Sequence, residues 1–127
     1  MPANHPQGKA VEIEAKWILE QEGYQVLRAV SPAPFDLLAW KSASTILCLS
    51  VRRSRSVSIS GYSESVNQLS ELVRMGKAPG ECQFWIKYPS LWKRFVILPG
   101  GALLIKEGKY DRDQVCARSS HRHRSSI

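Results

Sequence analysis

No apolar run in the chain is long enough to cross a bilayer, and the first residues, Met1-Pro2-Ala3-Asn4-His5-Pro6, lack the charged-then-apolar order of a secretory signal. The expectation is a cytoplasmic protein with no membrane partner. Cysteine is scarce. Cys48, Cys82 and Cys116 are scattered and odd in number, which speaks against a disulfide frame or a cysteine metal cluster. Cys48 and Cys82 lie in apolar runs and read as small buried thiols. No internal repeat is present. Acidic residues are the minority, 11 against 18 lysines and arginines, and the resulting net charge of +7 favours a polyanionic partner held through phosphate contacts.

What is present suffices for one domain with a real core: 127 residues, 43% of them hydrophobic. Val11, Ala15, Ile18 and Leu19 recur at helical spacing and predict a helix over about Lys9 to Glu22, with Gly23 as its stop. Ile13 and Trp17 widen its apolar face. Strands are expected at Tyr24 to Val30, Phe35 to Lys41 and Thr45 to Arg52, with Ser31-Pro32-Ala33-Pro34 as a loop between the first two. The run Ile46-Leu47-Cys48-Leu49 is apolar on both faces, as in a central strand covered on both sides. Val57 and Ile59 alternate as a short extension. Ser63 reads as the N-cap of a second helix bearing Val66, Leu69, Leu72, Val73 and Met75, ended by Gly76. Further strands follow at Cys82 to Tyr88 and Trp92 to Leu98, with a short last one at Leu103-Leu104-Ile105.

From Gly108 the periodicity is gone. Residues 1–107 read as a single α/β domain and residues 108–127 as a flexible basic tail that adds phosphate affinity. His121, His123 and Cys116 in that tail lack the fourth ligand and the fixed frame of a metal site. The element order predicts an α/β sandwich around a mixed central sheet flanked by helices, because the helix after the third strand gives room for a parallel crossover.

The second and third strands carry the most informative residues. An acid opens the run Phe35-Asp36-Leu37-Leu38-Ala39-Trp40, and a basic pair closes Leu49-Ser50-Val51-Arg52-Arg53. In one sheet, Asp36 and the Ser50-Val51-Arg52 end come close, with Val51 turned to the core and Ser50 and Arg52 sharing the other face. Plainer readings stand beside this one. Asp36 can be a residue at a strand start that bonds a loop amide. Glu12, Lys16 and Glu20 repeat at four-residue spacing, the pattern of an exposed salt-bridged stripe. Arg52, Arg53 and Arg55 can be a solvated strand end, although with Ser50, Ser54 and Ser56 they also compose a phosphate-binding edge. Trp17, Trp40, Trp85 and Trp92 lie in periodic apolar elements and read as core.

In order and spacing these residues resemble the PD-(D/E)xK nuclease superfamily, and within it the archaeal Holliday-junction resolvases and related restriction-endonuclease-like proteins. The resemblance runs from Gly8-Lys9-Ala10-Val11-Glu12 through Gly23-Tyr24, Arg28 and Ser31, the Asp36 strand and the Ser50-Val51-Arg52 strand to Trp92-Lys93-Arg94-Phe95. It implies a restriction-endonuclease-like fold, with Glu12, Asp36, Ser50 and Arg52 at the catalytic positions and Glu12 and Asp36 as ligands of Mg2+. It implies DNA contacts from Arg28, Ser31, Arg52, Arg53 and Arg55, and a homodimer. Where the family has a second carboxylate and a lysine, this chain has Ser50 and Arg52. A hydroxyl is a poorer magnesium ligand than a carboxylate, and a guanidinium does not act as a base. The expected function is therefore DNA binding with weak or lost cleavage. The alternatives are an active magnesium-dependent, structure-selective endonuclease that borrows a carboxylate from Glu64 or Glu71, and a non-catalytic interaction or dimerisation module.

Overall fold

A computed structural model describes residues 6–30, 32–55 and 59–109, residues 6–9 by their backbone alone. Helix α1 (Pro6–Gln21) leads into strands β1 (Gln25–Arg28), β2 (Leu37–Ser42) and β3 (Thr45–Arg53). A 3-10 turn (Ile59–Tyr62) and helix α2 (Ser63–Arg74) cross to β4 (Glu81–Tyr88), β5 (Leu91–Leu98) and β6 (Gly101–Lys109). The six strands form one sheet in chain order, antiparallel throughout except for the parallel pair β3–β4. The α2 crossover makes that exception possible, because a hairpin cannot join parallel strands. The observed architecture is thus the α/β sandwich with a mixed central sheet that the element order implies.

Alternation along the central strands divides the core in two. Leu47, Leu49 and Val51 of β3, with Trp85 and Trp92, pack beneath the α1 stripe of Val11, Ala15, Ile18 and Leu19. Cys48, Phe84, Ile86, Phe95 and Ile97 pack with Val66 and Leu69 of α2 on the opposite face. Each fully buried aliphatic side chain contributes about 1.5–3 kcal/mol, so helix position is set by these stripes and not by helix propensity. Ion pairs add orientation to α1: Glu14 accepts from Lys87 Nζ (2.5 and 2.6 Å), and Glu22 from Arg94 (2.9 and 3.3 Å).

Both glycine stops take left-handed backbone, with φ of 100° at Gly23 and 69° at Gly76. The Tyr24 N–H reaches the Leu19 carbonyl and the Lys77 N–H the Leu72 carbonyl, each closing the last turn of its helix. Four expectations need correction. Ser63 is the first residue of α2 and not its cap; Tyr62 holds the cap position with no side-chain bond to the helix, its hydroxyl donating instead to the Arg53 carbonyl (3.4 Å). Ile13 and Met75 do not join the apolar faces and are about half exposed, because Ile13 falls beside the buried stripe and Met75 is already the C-cap. β1 is shorter than Tyr24 to Val30, since Tyr24 is used in closing α1. β6 is far longer than Leu103-Leu104-Ile105, because pairing with β5 extends it over nine residues despite exposure on both faces.

Trp85 and Trp92 are fully buried and meet edge to face, while Trp17 and Trp40 are half-buried. Cys48 and Cys82 are buried free thiols facing each other across β3–β4. Their mutual hydrogen bond raises the Cys82 thiol, with burial adding to it, and lowers Cys48. Ser31, Val57, Cys116, His121 and His123, and the basic tail from residue 110 on, lie outside the described residues.

Candidate functional site

β2 begins at Leu37, which pairs with Leu49 of β3, and the Asp36 N–H just before it donates to the Leu49 carbonyl (2.8 Å). Beyond Asp36 the chain leaves for the proline loop, so among the described residues the β2–β3 backbone ladder stops at Leu49 while β3 runs on. The Asp36 carboxylate takes the ladder's place. Its Oδ2 accepts from the Val51 N–H at 2.8 Å and from Arg52 Nη1 at 2.8 Å. The same Nη1 donates to the Val51 carbonyl at 2.8 Å. One guanidinium nitrogen thus bridges a carboxylate and a peptide oxygen at the open end of a strand. The Arg52 guanidinium also lies 5.6 Å from the Phe84 ring centroid, within cation–π range.

Ser50 lies on the α2-facing side of β3, only 1% exposed, and its hydroxyl donates to the Pro34 carbonyl at the long distance of 3.5 Å. Val51 turns its side chain into the α1-facing core. The alternation read from the sequence is therefore what the sheet displays.

Glu12 stands apart from this cluster in its bonding. Its Oε1 accepts from both Nε (3.3 Å) and Nη2 (2.9 Å) of Arg28, at the end of β1. The stripe pattern holds at the next step along the helix, where Lys16 bonds Glu20. Arg53 and Arg55 are exposed at the β3 end. Glu64 and Glu71 are both exposed on α2, and Glu71 pairs with Arg74. The structure thus joins Asp36, Ser50 and Arg52 around one strand end and ties Glu12 to Arg28. A cleft of about 240 Å³ opens elsewhere, at the start of β3, lined by Tyr24, Thr45, Gly80 and Glu81 among others. There Tyr24 is held above its ordinary pKa, first by burial and then by Glu22 and Glu81.

The donor set as arranged does not fit magnesium. That ion needs several anionic or water oxygens around it at short range. Here Oδ2 of Asp36 is saturated by two donors, Glu12 is neutralised by Arg28, and Ser50 adds only a buried hydroxyl. Among the described residues no group of three or more histidine, cysteine or acidic side chains is placed to hold a metal. Three parts of the site escaped sequence reasoning: Phe84 beneath Arg52, the Val51 peptide and the Pro34 carbonyl. Phe84 reaches Arg52 only through the β3–β4 register, and backbone groups have no signature in the residue letters.

Among solved structures the chain is similar to Archaeoglobus fulgidus Hjc, a Holliday junction resolvase from an archaeal hyperthermophile. The TM-score is 0.56 with 21% identity, over 84% of this chain and 85% of that one. The fold is that of a resolvase. No family model matches the sequence, and no curated protein matches it. On this fold Asp36 and Arg52 stand at neighbouring strand ends and Glu12 on the first helix. Among the described residues no helix is long and apolar enough to cross a membrane.

Proposed function

We propose that this chain binds DNA through its resolvase-like fold and has weak or no phosphodiester cleavage. The observation that carries the reading is the bonding of Asp36, whose Oδ2 is already engaged by the Arg52 guanidinium and the Val51 N–H. A carboxylate so occupied is a poor ligand for a dication, while an arginine at the same spot is a good partner for phosphate. Arg53 and Arg55 extend the positive edge along the end of β3, and Arg28 at the end of β1 and Ser31 are the further contacts that the resemblance implies. Phosphate contacts of this kind give affinity without sequence preference.

Filter binding of duplex and four-way-junction DNA against salt tests the reading. Two engaged cations, Arg53 and Arg55, give a slope of log K against log salt of about −2, and adding Arg28 and Arg52 steepens it to about −3.5. A flat response removes the DNA reading. Magnesium-dependent cutting that disappears in Asp36→Ala replaces it with the active endonuclease.

A dimerisation role has one observation in its favour. β6 is a terminal strand of the sheet, and Leu103, Leu104 and Ile105 on it are between 43% and 56% exposed. Light scattering on a sizing column reports whether the chain self-associates.

A further inference from the structure

We propose that the Arg52 guanidinium is a tethered cation that stands in place of a metal ion between the sheet and a DNA phosphate. The inference rests on the DNA-binding reading and adds what replaces the metal.

The argument begins with the contacts of a single nitrogen. Nη1 has two N–H groups, and both are spent: one on Asp36 Oδ2 and one on the Val51 carbonyl, each at 2.8 Å. A carboxylate and a backbone carbonyl converging on one positive centre are the kind of oxygen donors a hard cation gathers. Here the centre is covalently attached one residue further along the same strand. Its position is over-determined, because Phe84 lies under the guanidinium and Asp36 is itself fixed by the Val51 N–H.

The remaining three N–H groups, on Nε and Nη2, make no hydrogen bond among the described residues. The Arg52 side chain is 36% exposed, so that edge is within reach of solvent. A planar pair of N–H donors matches two phosphate oxygens, and guanidinium is weakly hydrated, which makes the exchange of water for phosphate inexpensive. The anchored nitrogen fixes the plane, and the outward edge meets the ligand.

The substitution has a chemical consequence. A bound dication lowers the pKa of a coordinated water and so makes a nucleophile. A guanidinium carries one delocalised charge, coordinates no water as a Lewis acid and does not deprotonate at working pH. It neutralises and orients a phosphate and leaves the ester intact. Holding DNA therefore requires no metal, and metal has no place to enter while Arg52 is present.

The test uses the full chain, with fluorescence anisotropy on duplex and four-way-junction oligonucleotides and calorimetric titration with Mn2+ alone. Native protein is expected to bind DNA equally in EDTA and in Mg2+ and to show no Asp36-dependent uptake of Mn2+. Arg52→Met is expected to lose about tenfold in DNA affinity in EDTA, the cost of one charge-assisted phosphate contact, and to gain Mn2+ binding that Asp36→Asn then removes. Arg52→Lys keeps the charge and guards against a folding failure of the methionine variant. It is expected to bind DNA independently of metal but more weakly than native, because an ammonium lacks the bidentate edge. Asp36-dependent Mn2+ uptake by native protein overturns the proposal, as does a native DNA affinity that collapses in EDTA. If native chain binds no DNA, the DNA reading fails, and the Mn2+ arm still decides whether Arg52 excludes a metal.

Discussion

Asp36 does two jobs that its position in the sequence announces only in part. An aspartate before an apolar strand invites either a catalytic or a structural reading, and the structure gives it a structural bond to Val51 N–H and an ionic one to Arg52. Their adjacency was legible because the strand spacing forces it. The direction of the Arg52 side chain, folded back on its own peptide, was not legible, since it depends on β2 beginning only at Leu37 and leaving the β3 edge open beyond it. The pairing of Glu12 with Arg28 was equally hidden, because 16 residues and a turn separate them. Asp36→Ala strands the Val51 N–H and one partner of a half-exposed ion pair. Most of the cost comes from the unpaired amide, because solvent screens the charge, and the expected loss is about 1–3 kcal/mol. Asp36→Asn, which still accepts from Val51, is expected to lose less. Urea denaturation of both variants measures this, and equal losses would assign the stability to charge instead of to the amide bond.

At the level of elements, what could be read was whatever the local pattern controls. The apolar stripe of α1 and the glycine stops are local, and both appear where the sequence puts them. The length of β6 is not local: its residues lack burial, and pairing with β5 alone sustains it. The N-terminus of α2 was misread because a 3-10 turn delivers the chain directly into the helix, so Ser63 has no capping task. Gly76 has a φ of 69° and open space where a Cβ would stand, so Gly76→Ala carries only the cost of left-handed backbone. That cost is about 1–2 kcal/mol, to be read as a lower urea midpoint with unchanged slope. The α1–β1 junction supplies a pH test. Tyr24 has its pKa raised above the ordinary 10 by burial and by Glu22 and Glu81, with Arg94 opposing. Its contribution to stability is complete below that ordinary value and is lost as pH climbs through the folded-state value, because the unfolded chain releases the proton first. Native protein is therefore expected to lose stability above pH 10 faster than Tyr24→Phe. Parallel curves for the two in a pH series of thermal melts would contradict the assignment.

For the molecule as a whole, the mixed sheet and the room for a parallel crossover followed from element order, whereas the two ion pairs that orient α1 span 72 and 73 residues and left no trace in any local pattern. The sheet closes neither end on itself. β6 is its last strand, with one side paired to β5 and with Leu98, Leu103, Leu104 and Ile105 exposed nearby. The run Ala102 to Ile105 on this terminal strand is a site for pairing with another strand, set against the charges that follow it at Lys106, Glu107 and Lys109. Two copies joined along β6 would extend the sheet across both. Ile105→Lys puts a charge in the middle of that strand without touching the two cores, so it is expected to shift a dimeric native protein to monomer while leaving thermal stability within about 0.5 kcal/mol. Light scattering during size exclusion reads the mass directly. A native protein that runs as a monomer at every concentration, or a dimer that survives the lysine, would remove β6 as the contact and leave the positive edge of each copy to act alone.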